Sequence, residues 1–292
     1  MKKLALVCSL FFLSQISKSG DCDQIINFFS KKPLDLKEDA KFSPYQQPDI
    51  QTTRFHSLTT SSDWNLQLED PCTDDWGRNW FLDGQYGSVE NSESGMNFSA
   101  GPVNRDDAHH AVLWTNDTFA GELKIEYNYT RTDNQVINVN ILYIQATGIE
   151  TPPYERDILK WANLRAVPTM SKYYNNMNAL HISYAAFATV NDDPNADYIR
   201  VRQYPATEEI PFSKTEIPPA FERTGLFLPW ETYRITVIKT KSELYFNVKG
   251  DKLEKLFSWP LDHADLITQG RIGLRHMYTR SARYSDFKVS VR

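Results

Sequence analysis

The stretch "GRIGLRHMYTRSARYSDFKVSVR", residues 270–292, gives the best indication of the fold. In its first half Ile272 and Leu274 share one face, and Arg271 and Arg275 share the other. Strict alternation of apolar and polar residues is typical of a strand with one buried face. The segment therefore predicts two final strands joined as a closing hairpin, with the arginines pointing away from the core and the turn at the rim of a groove.

The chain from Trp64 onward repeats this short-strand signal between turn residues, and no helical periodicity of ordinary length appears. "GELKIEYNYTRTD" alternates cleanly, and "ETYRITVIKTKSELYFNVKGDKLEKLFSW" reads as a three-stranded meander. A long connection, residues 149–176, predicts a turn or two of helix. The pattern predicts an all-β protein: an antiparallel two-sheet β-jelly roll over residues 62–292, preceded by an N-terminal arm, residues 20–61.

The first 19 residues have the features of a signal peptide. Lys2 and Lys3 precede an apolar run, Leu4–Leu13, and small residues follow at Ser17 and Ser19. The run is too short to span a bilayer, which takes about 20 apolar residues. We expect export to a periplasm or the medium, without membrane insertion.

The charge of the chain limits the class of partner. The formal net charge is -5, and removal of residues 1–19 takes away three lysines and no acid, leaving about -8. A negative protein lacks the basic footprint of a nucleic-acid-binding protein. We therefore expect no nucleic-acid partner, and we expect local Arg or Lys clusters wherever an anion binds. We also expect the protein to be a monomer.

Two cysteines remain after loss of Cys8 with the signal peptide, namely Cys22 and Cys72. An even pair in an oxidising compartment predicts a disulfide that ties the arm to the body. Two thiols without a nearby histidine pair do not predict a metal site.

Several segments together resemble the concanavalin A-like lectin/glucanase superfamily, most closely its YesU-like group of bacterial jelly rolls. They are "WFLDG", "HHAVLWT", "YRITVIKTKSELYFNVKG", "GRIGLRH" and "ARYSDFKV", within residues 62–292. The resemblance implies the jelly-roll fold and a role in polysaccharide degradation. It also implies that an acidic residue on the last strand, here Asp286, helps to bind a structural Ca²⁺; no other cofactor is required.

The clustered Arg, His and Tyr residues predict a lyase acting on an anionic, uronate-containing polysaccharide. In β-elimination a cation neutralises the uronate carboxylate, and a Tyr or His removes the adjacent proton. The catalytic candidates are His110, His181, Tyr184 and Tyr278. The substrate-binding candidates are His109, Arg200, Arg202, Trp230, Arg275, His276 and Arg280. Any single His could instead be a satisfied core residue, and Arg200 with Arg202 could guard an exposed sheet edge.

Two other functions remain open on the sequence. The E-x-D-x-E strand motif of related hydrolases is absent, so a glycoside hydrolase would need carboxylates from different strands, with Glu222 and Glu231 as candidates. The chain could also be a noncatalytic carbohydrate-binding protein.

Overall fold

The computed structural model describes residues 47–261 and 267–292. The α-helices are α1 (Gln47–Thr59) and α2 (Met170–Asn176), and short 3-10 helices span Trp76–Arg78, Asp107–His109, Ile158–Arg165 and Phe212–Lys214. The strands are β1 (Asn65–Asp70), β2 (Trp80–Asp83), β3 (Ser88–Ser92), β4 (Gly95–Ser99), β5 (Ala111–Thr115), β6 (Phe119–Ala120), β7 (Leu123–Arg131), β8 (Asn140–Gly148), β9 (Met177–Ala186), β10 (Tyr198–Tyr204), β11 (Glu216–Glu222), β12 (Thr232–Lys239), β13 (Glu243–Lys249), β14 (Glu254–Pro260), β15 (Gln269–His276) and β16 (Ser281–Val291).

These strands form two antiparallel sheets of eight strands each. Sheet 1 has the order β14-β13-β12-β7-β16-β4-β3, with β1 also paired to β16. Sheet 2 has the order β11-β10-β9-β8-β15-β5-β2, with β6 also paired to β15. The predicted all-β, two-sheet jelly roll is confirmed.

The main core lies between the two sheets and follows from the alternation in the sequence. On β7, Ile125 and Tyr127 are fully buried, while the intervening Glu126 stays partly exposed. Leu180 and Ile182 on β9 of sheet 2 belong to the same buried cluster. Burial of these inward faces, at roughly 25 cal/mol per Å² of apolar surface, is what holds the sheets together.

The predicted closing hairpin is wrong in its connectivity, although both of its strands exist. β15 pairs with β8 and β5 in sheet 2, whereas β16 pairs with β7 and β4 in sheet 1. The residues between them therefore cross the sandwich. Alternation in a sequence reports which face of a strand is buried, but not whether two successive strands pair edge to edge or face each other.

The long connection, residues 149–176, covers part of the outer face of sheet 2, and we call it the cover segment. Its Trp161 and Tyr173 pack with Trp114 of sheet 2 in a second apolar cluster. The buried Asp83 carboxylate holds the cover segment on the sheet, because it accepts hydrogen bonds from Arg165 Nε at 2.5 Å and Tyr173 OH at 3.1 Å. The predicted helical turns here are confirmed as the segment Ile158–Arg165 and α2.

Helix α1 lies within the predicted N-terminal arm and belongs to the same compact unit as the two sheets. Its Phe55 packs on Ile238 and Tyr245 of sheet 1. The predicted signal peptide, residues 1–19, lies outside the described residues. No helix within the described ranges is long and apolar enough to cross a membrane.

Cys72 is a buried thiol whose backbone N–H donates to Asp70 Oδ1 at 2.7 Å. Burial, followed by the charge of Asp70, raises the pKa of this thiol to about 12. Within residues 47–261 and 267–292 Cys72 is a free cysteine, and its predicted partner Cys22 lies outside them. The Cys22–Cys72 disulfide stays a prediction.

Candidate functional site

The cover segment leaves the β9–β10–β11 side of sheet 2 open, and a cavity of about 640 Å³ lies there. We call it the sheet 2 pocket. This volume is within the range of about 300–1,000 Å³ that is usual for small-ligand sites. Its lining includes His181, Ser183, Tyr198, Arg200, Arg202 and Glu222 from the strands, and Tyr174 and Phe212 from the flanking segments.

Antiparallel register brings the polar floor of the pocket together. Arg202 on β10 lies opposite His181 on β9, and Arg200 lies opposite Ser183. Residues two apart on a strand share a face, so these four side chains project from the same face of sheet 2. The structure thus brings three of the predicted site residues, His181, Arg200 and Arg202, together as a spatial cluster.

The two arginines are held by aromatic rings and one shared carboxylate. The Arg200 guanidinium lies 4.7 Å from the ring centre of Tyr198, and that of Arg202 lies 4.4 Å from Phe212. Glu216 Oε2 lies 3.1 Å from Arg200 Nε and 3.5 Å from Arg202 Nη2. Arg202 Nη1 also donates to Phe212 O at 2.9 Å. The stacked guanidinium of Arg200 keeps its Nη edge free to meet a planar acceptor.

His181 is the central titratable group of the floor. Its Nδ1 lies 2.5 Å from Tyr204 OH and its Nε2 lies 2.6 Å from Ser183 Oγ. Burial lowers the pKa of His181 well below its ordinary value, and the charges of Arg202, Arg275 and Arg200 lower it further. The imidazole is therefore neutral at neutral pH, and every charge that shifts its pKa is positive.

Arg275, the strongest candidate from the sequence, lies under the cover segment and does not line the pocket. It faces away from the inter-sheet core as predicted, but its side chain is completely buried. Its Nη2 donates to Pro168 O at 2.6 Å, and its guanidinium lies 4.5 Å from the Tyr173 ring centre. Its Nε and Nη1 have no hydrogen-bond partner among the described residues. Arg275 therefore acts on the pocket through its charge rather than by contact.

His110, Tyr278 and His109 also lie away from the pocket. His110 is buried with its Nε2 3.3 Å from Asp107 Oδ1, and the Tyr278 ring packs 4.5 Å from it. Burial, followed by the charge of Arg275, lowers the pKa of His110 to about 2. His109 stacks on Tyr86 at 4.3 Å. We correct the prediction that these three residues share a site with His181.

Tyr184 and His276 point into the core between the sheets. The hydroxyl of Tyr284 lies 3.3 Å from Tyr184 OH and 2.8 Å from His276 Nε2. Both residues are completely buried, so neither reaches a polymer in this structure. We correct their predicted roles: Tyr184 is three residues from His181 and so has the opposite strand parity, which places it on the opposite face.

Arg280 and Trp230 complete the set of substrate-binding candidates. Arg280 is buried and pairs with Asp133 at 3.0 Å while donating to the Ala185 carbonyl, which gives it a structural role instead of the predicted place at a groove rim. Trp230 is 64% exposed on the loop after β11 and does not line the pocket.

The predicted calcium ligand Asp286 lies in β16 of sheet 1. Its Oδ2 accepts a hydrogen bond from Asn128 Nδ2 at 2.7 Å. Within the described ranges no three His, Cys, Asp or Glu residues are grouped as a metal site would require. A calcium ion needs six to eight oxygen ligands, so Asp286 and its surroundings do not fit the ion.

A second cavity of about 480 Å³ lies at another part of sheet 2, beside Arg271. Its cations are paired: Arg271 with Asp157 at 2.8 Å and Lys160 with Glu155 at 2.7 Å. Each of these two cations has its own carboxylate, whereas Arg200 and Arg202 of the sheet 2 pocket share the single carboxylate of Glu216 and so offer more to an anionic ligand.

Sequence reasoning missed Ser183, Tyr204, Tyr174 and Phe212. Ser183 shares strand parity with His181, and Tyr204 shares it with Arg202, so alternation could have indicated both. Tyr174 and Phe212 come from segments that fold over the sheet, and nothing local in the sequence predicts which strand such a segment meets.

Comparisons with known proteins agree with the observed architecture. The uncharacterized protein YesU of Bacillus subtilis (strain 168) is 22% identical over 192 residues, which cover 63% of this chain and 78% of YesU. A crystal structure of a protein of unknown function with a galectin-like fold, also from Bacillus subtilis, superposes with a TM-score of 0.58 at 20% identity over 78% of this chain and 99% of that one.

Lectin II from Ulex europaeus superposes with a TM-score of 0.50 at 8% identity, over 77% of this chain and 98% of the lectin. The resemblance to concanavalin A-like jelly rolls of the YesU-like group is confirmed. Residues 72–289, well over half of the chain, match the model described as "Domain of unknown function (DUF1961)", and the protein belongs to this family.

Proposed function

We propose that the protein binds an anionic, uronate-containing polysaccharide in the sheet 2 pocket. The observation that carries the proposal is the arginine-rich floor: Arg200 and Arg202 lie opposite Ser183 and His181 on the neighbouring strand and share the single carboxylate of Glu216. The lectin-like fold supports a saccharide as the ligand, because lectin II from Ulex europaeus has the same architecture. The sequence of residues 1–19 supports export, which would bring the protein to such polymers.

The geometry supplies what an acidic sugar requires. The Nη nitrogens of Arg200 make no hydrogen bond within residues 47–261 and 267–292, and the Arg200 side chain is 27% exposed. An arginine can donate two parallel N–H bonds to one carboxylate. Tyr174 and Phe212, whose rings lie 4.5 Å apart, offer flat apolar surface beside the arginines. Aromatic faces of this kind pack against the C–H faces of sugar rings.

Titration calorimetry with oligogalacturonate, and with a neutral galactan oligomer of equal length, tests the proposal. A charge-assisted hydrogen bond contributes roughly 1.5–3 kcal/mol, so we expect Arg200→Met to weaken oligogalacturonate binding about 10- to 100-fold. Arg234→Met is the matched control, because Arg234 pairs with Glu126 in sheet 1. Equal affinity for the two oligomers, or an unchanged affinity of Arg200→Met, would contradict the proposal.

The glycoside hydrolase hypothesis gains no support from the pocket. Hydrolysis needs two carboxyl groups, one on either side of the scissile bond. Glu222 lines the pocket, but Glu231 does not, and its Oε2 accepts a hydrogen bond from Tyr233 OH at 3.1 Å. The two glutamates named from the sequence therefore do not meet there.

A polysaccharide lyase is the second candidate, and the neutral state of His181 favours it. With the uronate carboxylate neutralised by arginine, a neutral imidazole would take the C5 proton, the C–H electrons would form a C4=C5 double bond, and the C4–O bond would break. The departing oxygen takes up a proton. Ultraviolet absorbance of the new double bond, lost in His181→Asn, is the expected signal; binding without any absorbance change would leave the protein a binding protein.

A further inference from the structure

Tyr204, His181 and Ser183 form a continuous hydrogen-bonded chain in the pocket floor. The Tyr204 hydroxyl lies 2.5 Å from His181 Nδ1, and His181 Nε2 lies 2.6 Å from Ser183 Oγ. Tyr204 is 1% exposed, His181 2% and Ser183 4%. Of the three, His181 and Ser183 line the sheet 2 pocket, with Ser183 beside Arg200 on the neighbouring strand.

The buried hydroxyl of Tyr204 determines which atom donates and which accepts in the Tyr204–His181–Ser183 hydrogen bonds. Within the described residues its hydroxyl has His181 Nδ1 as its only hydrogen-bond partner. A buried hydroxyl hydrogen without an acceptor costs roughly 1–3 kcal/mol. Tyr204 therefore donates its hydrogen to Nδ1, which must be the unprotonated nitrogen.

The state of Nδ1 in turn determines which atom donates in the hydrogen bond between His181 and Ser183. A neutral imidazole carries one hydrogen, and since Nδ1 accepts, this hydrogen is on Nε2. Nε2–H donates to Ser183 Oγ, so the serine accepts from His181 and its own hydrogen is left to another acceptor. No other residue in the described part of the chain takes that hydrogen.

We propose that the Tyr204–His181–Ser183 chain orients the Ser183 hydroxyl as a donor into the pocket, where with Arg200 it binds the carboxylate of the saccharide. This inference rests on the proposed function. It identifies the Ser183 hydroxyl as the uncharged hydrogen-bond donor to the saccharide carboxylate. A carboxylate accepts from both donors, because each oxygen has two lone pairs. Tyr204 and His181 act as positioning residues. A lyase would need an imidazole nitrogen with a free lone pair, and in this tautomer His181 has none, so the inference favours the binding function over the lyase candidate.

Nitrogen-15 NMR of the His181 imidazole shows which nitrogen carries the hydrogen, and so tests the proposed hydrogen-bond order without any ligand. The His181 resonances are identified by their loss in His181→Asn, and we expect the tautomer protonated at Nε2. Protonation at Nδ1 would overturn the inference whatever the protein binds.

Calorimetry with oligogalacturonate tests the role of Ser183. We expect Ser183→Ala to weaken binding about tenfold, and Ser183→Thr, which keeps the hydroxyl, to retain the affinity of the parent protein. If Arg200→Met weakens binding and Ser183→Ala does not, the inference fails while the proposed function stands. If the parent protein does not bind oligogalacturonate, the proposed function fails. The tautomer of His181 still tests the donor–acceptor order of the Tyr204–His181–Ser183 hydrogen bonds.

Discussion

Three histidines that are almost completely buried within the described residues, His110, His181 and His276, should make the protein unstable in mild acid. Burial lowers the pKa of His110 to about 2 and that of His276 to about 3, and it lowers the pKa of His181 well below its ordinary value. In the unfolded chain each titrates near pH 6.5. Below that pH the unfolded state binds protons that the folded state does not, so the free energy of unfolding falls as the pH falls.

The magnitude follows from the two pKa values of each group. Between pH 7.5 and pH 5.0 one histidine that stays neutral when folded removes about 2 kcal/mol from the free energy of unfolding. Three such groups remove about 6 kcal/mol, which is a large part of the roughly 5–15 kcal/mol typical of a domain. A carboxylate whose pKa is not raised by folding contributes little in this window, because it is ionised in both states above about pH 5. Burial raises the pKa of Asp83, so this group acts in the opposite direction and offsets part of the loss.

Urea unfolding at pH 7.5 and pH 5.0 measures this loss. His276→Gln should reduce the difference between the two pH values by about 2 kcal/mol, whatever it does to stability itself. His56→Gln, which alters an exposed histidine of α1, should leave the difference unchanged. Equal stability of the parent protein at the two pH values would refute the reasoning.

Three further predictions concern the scaffold. Arg280→Met leaves the buried Asp133 carboxylate without its closest cation and should cost about 3–5 kcal/mol in urea unfolding, and a loss below 1 kcal/mol would contradict this. Gly273→Ala should cost about 1–3 kcal/mol by the same measurement, because its Cβ would come within 2.5 Å of the Trp114 ring; unchanged stability would show that the ring yields freely. If Cys72 is bridged to Cys22 in the exported protein, the denatured, unreduced chain takes up no iodoacetamide, whereas alkylation detected by intact mass would exclude the bridge.

The fold could be predicted from the sequence because a two-residue period is a local signal. The buried face of β7 and the outward face of β15 both follow from alternation. What alternation does not report is pairing between strands distant in sequence. Residues 270–292 therefore predicted a hairpin where the chain crosses from sheet 2 to sheet 1.

The site was predictable only in part, for a related reason. His181, Arg200 and Arg202 meet because their strands are neighbours and their parities agree. Arg275 has the correct parity, but the cover segment buries it, and no local pattern predicts where a 28-residue connection folds back. Tyr184 was grouped with His181 by residue type, although its parity already indicated the opposite face.

A crystal structure with bound oligogalacturonate tests the central claim most directly. We predict a uronate carboxylate within hydrogen-bonding distance of Arg200 or Arg202, in the pocket between β9, β10 and α2. Binding of the sugar at the cavity beside Arg271, or on the outer face of sheet 1, would contradict the account.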